Sequence, residues 1–206
     1  GVPARLCAAA RTVQSAGNNR YGIVTVKTED KPGPARSVDG RVGIGHVHLK
    51  VADLERALAF YRDVLGFEVT QWYGRQAVFL SAGGYHHHIG LNTWESLGGS
   101  PPARGTTGLY HVAILYPTRA ALADALRRLI AAGIPLEGAS DHGVSQALYL
   151  RDPDGNGIEL YWDRPKAEWP RTPEGNLAMT TEPLDLESLL AEPPPATGDR
   201  DAASGP

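Results

Sequence analysis

The sequence predicts an α+β protein that contains two copies of a β-α-β-β-β unit, over residues 42–92 and 108–163. Each half opens with a strand of alternating apolar and polar residues that begins near a histidine. A helix with a capping residue and an apolar stripe follows in both halves, and a glycine closes each helix. Because the order of these features is the same, we favour internal duplication over two unrelated β-α units.

In the first repeat, residues 45–51 alternate as a strand does. Asp53 is a suitable helix cap, and apolar residues spaced at three and four positions predict a helix up to Leu65. Gly66 ends this helix, and glycines separate the three strands that complete the repeat. These strands are predicted at 67–73, 76–81 and 85–92.

The second repeat begins with a strand at 110–115. Thr118 caps a helix whose apolar residues face one way, and Gly133 closes it. Three further strands are predicted at 135–140, 144–151 and 157–163. The histidines of the two first strands, His46 and His111, therefore occupy matching positions in the repeats.

Outside the repeats, the chain has polar, proline-rich ends. We predict a flexible N-terminal extension, one domain and a partly disordered C-terminal tail, over residues 1–40, 41–164 and 165–206. Residues 21–27 form a possible extra strand, and Asp185 caps a possible short helix at 184–190 that docks on the body.

Charge and composition exclude several classes of protein. The net charge of −3 does not favour nucleic acid or an anionic membrane as a partner. The single cysteine excludes an internal disulfide framework and fits a reducing compartment. No run approaches the roughly 20 apolar residues of a membrane helix, and no secretory signal is recognisable. The sequence therefore predicts a cytoplasmic protein.

The first candidates for chemistry are His46, His111 and Glu159. A single strand histidine is more often an ordinary structural residue, but two at matching repeat positions favour a shared cleft. Glu159 lies between Ile158 and Leu160 in a half-buried strand, where a metal cation would offset the cost of burying a carboxylate. The alternative for Glu159 is an outward-facing residue on an edge strand. Two imidazoles and one carboxylate form the ligand set of non-haem Fe(II) oxygenases, and they also suit Mn(II), Zn(II) or Ni(II).

Two further features lie close to these candidates in the predicted sheets. A turn at Asp152-Pro153-Asp154-Gly155 makes Tyr149 and Glu159 cross-strand neighbours, so the tyrosine hydroxyl is either a substrate ligand or part of an aromatic packing contact. Three consecutive histidines, His86, His87 and His88, open the fourth strand. Strand alternation points His87 to one side and the other two to the opposite side. The histidines are a solvated strand end, an adventitious metal site or, as we favour, a source of a general acid/base.

These residues resemble the vicinal oxygen chelate superfamily, which includes glyoxalase I, extradiol dioxygenases and bleomycin-resistance proteins. The family pattern of a histidine, a strand and a "D-x-x-x-x-x-x-F-Y-x-x-x-L-G-F" helix is present as His46-Val-His-Leu-Lys-Val-Ala-Asp53, Phe60-Tyr61 and Leu65-Gly66-Phe67. The resemblance covers roughly residues 42–163. It implies that the two repeats form a half-open eight-stranded barrel.

Within the superfamily the chain is most similar to type I extradiol, or catechol 2,3-type, dioxygenases. The resemblance assigns His46, His111 and Glu159 as metal ligands, and Tyr149 as the substrate-binding tyrosine of the segment Tyr149-Leu-Arg-Asp-Pro-Asp-Gly-Asn-Gly-Ile-Glu159. The family's second-sphere histidine corresponds to His142, two residues closer to the tyrosine than in the family pattern. The acid/base histidine aligns best with His87. Many type I enzymes have four repeats, whereas this sequence contains two.

The resemblance implies an Fe(II) enzyme that opens a catechol-type ring with O₂ and that forms a possible homo-oligomer. One alternative is a glyoxalase-like lyase or isomerase with Zn(II) or Ni(II) and His88 as a fourth ligand. Another is a protein that binds a small aromatic molecule or antibiotic without catalysis. We also expect four large aromatic residues in the cleft lining, namely Trp72, Phe79, Trp94 and Trp162.

Overall fold

A computed structural model describes residues 37–195 and, as backbone strands, β1 (Gln14–Ala16) and β2 (Ile23–Thr25). β1 and β2 form an antiparallel pair within a compact unit that comprises residues 1–43. The strand predicted at 21–27 is thus confirmed in its central part, and β1 was not predicted. Most of the N-terminal extension predicted at 1–40, and residues 196–206 of the tail predicted to be partly disordered, lie outside the described residues.

The second compact unit, residues 44–206, contains both repeats. In the first repeat the strand order is β3-β6-β5-β4, and β3 is parallel to β6. The elements are β3 (Val47–Lys50), α1 (Leu54–Leu58), a π-helical segment (Ala59–Val64), β4 (Glu68–Tyr73), β5 (Ala77–Ser81) and β6 (Ile89–Asn92).

The helix of the first repeat differs from the prediction in one respect. Asp53 caps it as expected, because its side chain accepts a hydrogen bond from the backbone N–H of Arg56. The predicted single α-helix continues after Leu58 as a π-helix. The two neighbouring residues Phe60 and Tyr61 are both buried in this segment, with ring centroids 4.9 Å apart. The π-helical segment thus places two neighbouring large rings in the core.

The second repeat has the same order of elements, with one strand added. They are β7 (Val112–Leu115), α2 (Arg119–Ala131), β8 (Gly138–Asp141), β9 (Ser145–Arg151) and β10 (Gly157–Asp163). β7 is parallel to β10, and the sheet order is β11-β8-β9-β10-β7. The added strand β11 (Glu182–Pro183) comes from the C-terminal segment, and α3 (Leu186–Leu190) follows it.

The α+β class and the two repeats are confirmed. The eight predicted repeat strands lie in sheets of four and five strands, in which β3 and β7 are edge strands. Alternate residues of β3, β7 and β10 belong to one apolar core with the helices, namely Val47, Leu49, Val112, Ile114, Ile158, Leu160 and Trp162. The residues between them lie on the opposite faces of these strands. Those alternate faces carry the candidate site residues.

The prediction was wrong for the strand at 85–92, and it did not include a strand in the C-terminal segment. The strand predicted at 85–92 begins only at Ile89, because Gly83 and Gly84 form a turn and the histidines that follow are not in strand conformation. The C-terminal segment was expected to contribute only a short helix. That helix is present with Asp185 as its cap, but residues 182–183 also pair with β8. Among the helices of the described residues, none has both the length and the apolar character needed to cross a membrane.

The turn between β9 and β10 ties the two repeats together. The Tyr61 hydroxyl donates to Asp152 Oδ2 at 2.9 Å, and the Ala52 N–H donates to Asp154 Oδ1 at 2.9 Å. Arg56 also forms an ion pair with Asp154. Both aspartates are buried, and these partners offset part of the cost of burying their carboxylates, although Asp154 Oδ2 has no hydrogen-bond partner. The β9–β10 hairpin, which carries Tyr149 and Glu159, is thereby attached to the first repeat.

Candidate metal and catalytic site

The second repeat brings three predicted site residues into contact. In the sheet register, Glu159 on β10 lies opposite Tyr149 on β9. His111 Nε2 is 2.9 Å from Glu159 Oε2, and the Tyr149 hydroxyl is 3.1 Å from Glu159 Oε1. The Glu159 side chain is 13% exposed. Both carboxylate oxygens therefore have a hydrogen-bonding partner in a largely buried position.

Gly157 allows His111 to approach Glu159. A Cβ atom at position 157 would lie 2.1 Å from the Tyr110 carbonyl oxygen and 3.0 Å from His111 Cβ. No side chain fits at that distance, because non-bonded carbon and oxygen atoms repel strongly well before it. Because Gly157 has no side chain, the backbone that enters β7 can pass close to it. This role was missed by the sequence analysis, although a glycine within a strand indicates close approach of another backbone.

His142 extends this cluster by one residue. It lies between β8 and β9, and its Nε2 is 2.7 Å from the Tyr149 hydroxyl. Its other ring nitrogen, Nδ1, is 2.9 Å from the Thr180 carbonyl oxygen and 3.4 Å from Thr181 Oγ1. His142 therefore contacts Tyr149 and the C-terminal segment, and it reaches Glu159 only through Tyr149. No sequence pattern indicated the contact with Thr180.

Tyr149 is the central hydrogen-bonding group of the cluster. Burial raises the pKa of Tyr149 to about 12, with further contributions from the negative charge and the hydrogen bond of Glu159. The phenol is consequently protonated at neutral pH. It has one proton and two neighbouring acceptors, Glu159 Oε1 and His142 Nε2, so it can donate to only one of them at a time.

The first repeat carries the other predicted metal ligand, His46. This residue is exposed and immediately precedes β3. Its ring centroid is 4.5 Å from that of His87, which is 4.8 Å from the ring of Phe79. Burial lowers the pKa of His87, and the positive charges that His46 and nearby histidines can carry lower it further. His87 is therefore favoured in its neutral form, which can accept a proton.

His88 has different surroundings from His87. Its Nδ1 is 3.1 Å from Ser81 Oγ and 3.3 Å from the backbone nitrogen of Ala82. The prediction that only one of His87 and His88 can face the cleft assumed a strand. Because residues 85–88 are not a strand, alternation does not apply to them. His87 packs against His46, and His88 lines the cavity described next.

A cavity of about 890 Å³ lies along the edge strands β3 and β7. His46, His88 and His111 line it together with largely apolar side chains, among them Ile44, Phe67, Leu109, Ile114, Leu115 and Tyr161. A second cavity of about 270 Å³ is lined by His111, Tyr149 and the ion-paired residues Glu137 and Arg151. The larger volume is within the range of small-molecule sites.

The donor chemistry suits a divalent metal, but the three predicted ligands are not assembled. Among residues 37–195, no three His, Cys, Asp or Glu side chains lie close enough together to hold a metal ion. His111 and Glu159 form a direct pair, and His46 lines the same cavity as His111. Binding by all three residues requires His46 to approach the pair across this cavity.

The four aromatic residues expected in the cleft have different positions. Phe79 and Trp94 both pack against His48, at centroid distances of 5.8 Å and 5.3 Å. Trp162 packs against the apolar core, and Trp72 is 44% exposed. Trp162 therefore does not belong to the cleft lining, because it shares the core-facing side of β10 with Leu160.

The fold and the sequence together define the class of protein. The chain belongs to the Glyoxalase/Bleomycin resistance protein/Dioxygenase superfamily, whose family profile matches residues 43–160. It is similar to the "Catechol-2,3-dioxygenase" of Bacillus subtilis, with 50% identity over 72% of this chain and 51% of the relative. It is also similar to the "Biphenyl-2,3-diol 1,2-dioxygenase 3" of Rhodococcus globerulus, with 37% identity over 58% of this chain and 63% of the relative.

The chain thus spans about half to two thirds of the length of these two relatives. Among solved structures, the fold is similar to that of a glyoxalase/dioxygenase from Nostoc punctiforme. The TM-score is 0.51 at 20% identity, and the match covers 68% of this chain and 100% of that chain. This likeness supports the fold.

Proposed function

We propose that the chain is a metal-dependent extradiol dioxygenase that opens the ring of a catechol-type diol with O₂, and that Fe(II) is its metal. The observation that carries the proposal is the contact series from His111 through Glu159 and Tyr149 to His142. In this series an imidazole and a carboxylate, which are both common metal ligands, are connected to a phenol and a second imidazole at hydrogen-bonding distances. The names of the Bacillus and Rhodococcus relatives support a diol as substrate.

The proposed ligands are His46, His111 and Glu159. Two imidazoles and one carboxylate leave coordination positions open, as oxygenase chemistry requires. A metal bound by these residues would lower the pKa of a chelating diol and provide an electron path between the diol and O₂. Because His111 and Glu159 already pair, these two residues are the preformed part of the proposed ligand set.

The remaining residues are assigned to binding and proton transfer. Tyr149 keeps its proton at neutral pH and would hold a substrate oxygen by a hydrogen bond. His87, neutral and next to His46, would accept a proton from the diol and return it later in the reaction. His142 would support Tyr149 through the 2.7 Å contact with its hydroxyl. Ring opening would insert both atoms of O₂ beside the diol.

The direct test is anaerobic loading of the full chain with Fe(II), followed by addition of catechol and air. We expect uptake of O₂ and formation of a yellow ring-opened product. Parallel loading with Mn(II), Zn(II) and Ni(II), with the bound metal measured by elemental analysis, tests the choice of metal. If the Fe(II)-loaded protein contains metal but takes up no O₂ with any catechol tested, the proposed function is wrong.

Variants test the assignment of ligands. His46→Ala, His111→Ala and Glu159→Gln should each lose bound metal and activity together. His86→Ala is the matched control, because His86 is an exposed histidine outside the proposed ligand set. We expect it to retain the metal. His46 lies apart from the other two proposed ligands, so its variant is the most informative of the three. Full metal occupancy in His46→Ala would remove His46 from the ligand set.

A second candidate function rests on the position of His88, which lines the cavity with His46 and His111. A glyoxalase-like lyase with Zn(II) or Ni(II) would use His88 as a fourth ligand. His87→Ala should lower ring cleavage by roughly 10²–10⁴ if His87 is the acid/base, whereas His88→Ala should leave bound metal unchanged. Loss of metal in His88→Ala, with turnover of the methylglyoxal–glutathione adduct by the unsubstituted protein, would favour the lyase.

A further inference from the structure

The segment after β10 returns to the second sheet beside the candidate site. The Arg164 N–H donates to the Val144 carbonyl at 2.8 Å, and β11 then pairs with β8, with Glu182 opposite Asp141. The end of the segment is held on α2 by an ion pair of Arg119 with Glu192. Residues 164–192, which we call the C-terminal strap, are therefore anchored at both ends.

Between these anchors, Thr180 of the C-terminal strap contacts His142 twice. The Thr180 N–H donates to the His142 carbonyl at 3.0 Å, and His142 Nδ1 is 2.9 Å from the Thr180 carbonyl oxygen. Gly143 lets the C-terminal strap pack closely here, because a Cβ there would lie 2.9 Å from Pro170 Cγ and 3.4 Å from Thr180 Oγ1, and its φ of +74° is in the left-handed region. The backbone of Thr180 thus contacts both the backbone and the ring of His142.

The Thr180 contact determines which ring nitrogen of His142 carries a proton. A carbonyl oxygen can only accept a hydrogen bond, so His142 Nδ1 must donate. The other nitrogen, Nε2, faces the Tyr149 hydroxyl at 2.7 Å, a group that can either donate or accept. With the proton on Nδ1, Nε2 of the neutral ring is an acceptor, and the group that it faces is the Tyr149 hydroxyl, which has a proton to donate.

We propose that the Thr180 backbone is a positioning element that holds the His142 proton on Nδ1 and directs Nε2, as the accepting nitrogen, at Tyr149. The C-terminal strap thereby contributes a backbone group to the candidate site. This inference rests on the proposed function only for its consequence, the support of Tyr149 during substrate binding. The contacts of the ring are those of the metal-free protein, so its protonation can be tested without a metal.

The test is nitrogen NMR of the metal-free full chain with labelled histidine, in alkaline buffer. The chain has seven histidines, and His142→Gln identifies the signal of His142 by its disappearance. Long-range proton–nitrogen correlations distinguish a protonated from an unprotonated ring nitrogen. We expect His142 to carry its proton on Nδ1. A neutral ring with the proton on Nε2 would overturn the proposal.

A pair of variants at one position tests the cause. Thr180→Pro removes the N–H that donates to His142 and displaces the carbonyl, whereas Thr180→Val keeps both backbone groups. We expect the proline variant to shift His142 toward the Nε2-protonated form and the valine variant to match the unsubstituted protein. Unchanged signals of the other six histidines establish that the proline variant is folded. A folded proline variant with His142 still protonated on Nδ1 would contradict the role of Thr180.

Ring cleavage provides the functional measurement. Loss of a supporting hydrogen bond behind a site residue typically lowers activity by about 10–100-fold, and we expect a loss of this size for Thr180→Pro alone. If that variant does not fold, the spectrum of the unsubstituted protein still decides the proposal. The two proposals fail separately, because an inactive protein with His142 protonated on Nδ1 refutes only the dioxygenase function.

Discussion

Substitution of Gly157 by alanine tests whether close backbone approach holds His111 beside Glu159. The added Cβ would lie 2.1 Å from the Tyr110 carbonyl oxygen. To reach an ordinary contact, that oxygen must retreat by roughly 1 Å. Tyr110 immediately precedes His111, so the imidazole moves with it and the 2.9 Å contact to Glu159 is lengthened or lost.

We expect two effects of Gly157→Ala. Overpacking of a buried strand costs about 1–3 kcal/mol, so the free energy of unfolding measured in urea should fall by that amount. A displacement of about 1 Å at a reacting group can lower the rate by roughly 10²-fold. Metal affinity, measured by competition with a chromophoric chelator, should fall as well, because one ligand no longer faces Glu159.

Gly138→Ala is the matched control on a neighbouring part of the same sheet. A Cβ at position 138 would meet only Tyr149 Cδ2, at 3.9 Å, which is an ordinary contact. Removal of a glycine in a compatible conformation stabilises a protein by about 0.4–1 kcal/mol. We therefore expect this variant to be at least as stable as the unsubstituted protein. Equal stability and equal metal affinity of the two alanine variants would refute the role given to Gly157.

Two further predictions concern buried carboxylates. Tyr61→Phe deletes the hydroxyl that donates to Asp152 at 2.9 Å and should lower the free energy of unfolding by about 1–3 kcal/mol; Tyr73→Phe, at a residue 64% exposed, should have no measurable effect in the same urea titration. For Asp141, burial raises the pKa, but hydrogen bonds and the Arg164 guanidinium outweigh burial and hold the pKa below its ordinary value. This carboxylate therefore stabilises the folded state above about pH 4, and its contribution is lost as the pH falls further. Unfolding titrations from neutral to acid pH should show a smaller loss for Asp141→Asn, and an unchanged slope would contradict the assignment.

The positions of the repeats and of most strands could be predicted because they depend on local patterns. Asp53 and Thr118 accept hydrogen bonds from the first turns of their helices, as their residue types indicate. Tyr149 and Glu159 are register partners because a short turn between two strands fixes their pairing. Such features are set by residues that are close together in the sequence.

The prediction was wrong where packing between distant segments decides. The three consecutive histidines at 86–88 were expected to open a strand, but a glycine turn precedes them and they do not join one. Trp162 was expected in the cleft and instead packs on the core. The contact of Thr180 with His142 joins residues 38 positions apart, and neither residue type indicates it.

The sequence by itself determined the duplicated α+β architecture and the pairing of Glu159 with Tyr149, because apolar periodicity, helix caps and a tight turn act over a few residues. Only the tertiary structure decided that His111 pairs with Glu159, that His46 lies apart from them on another sheet edge, and that the C-terminal strap reaches His142. These relations depend on how two sheets and a returning segment pack. Packing of this kind is a sum of many weak contacts between residues far apart in the chain, and no local pattern records it.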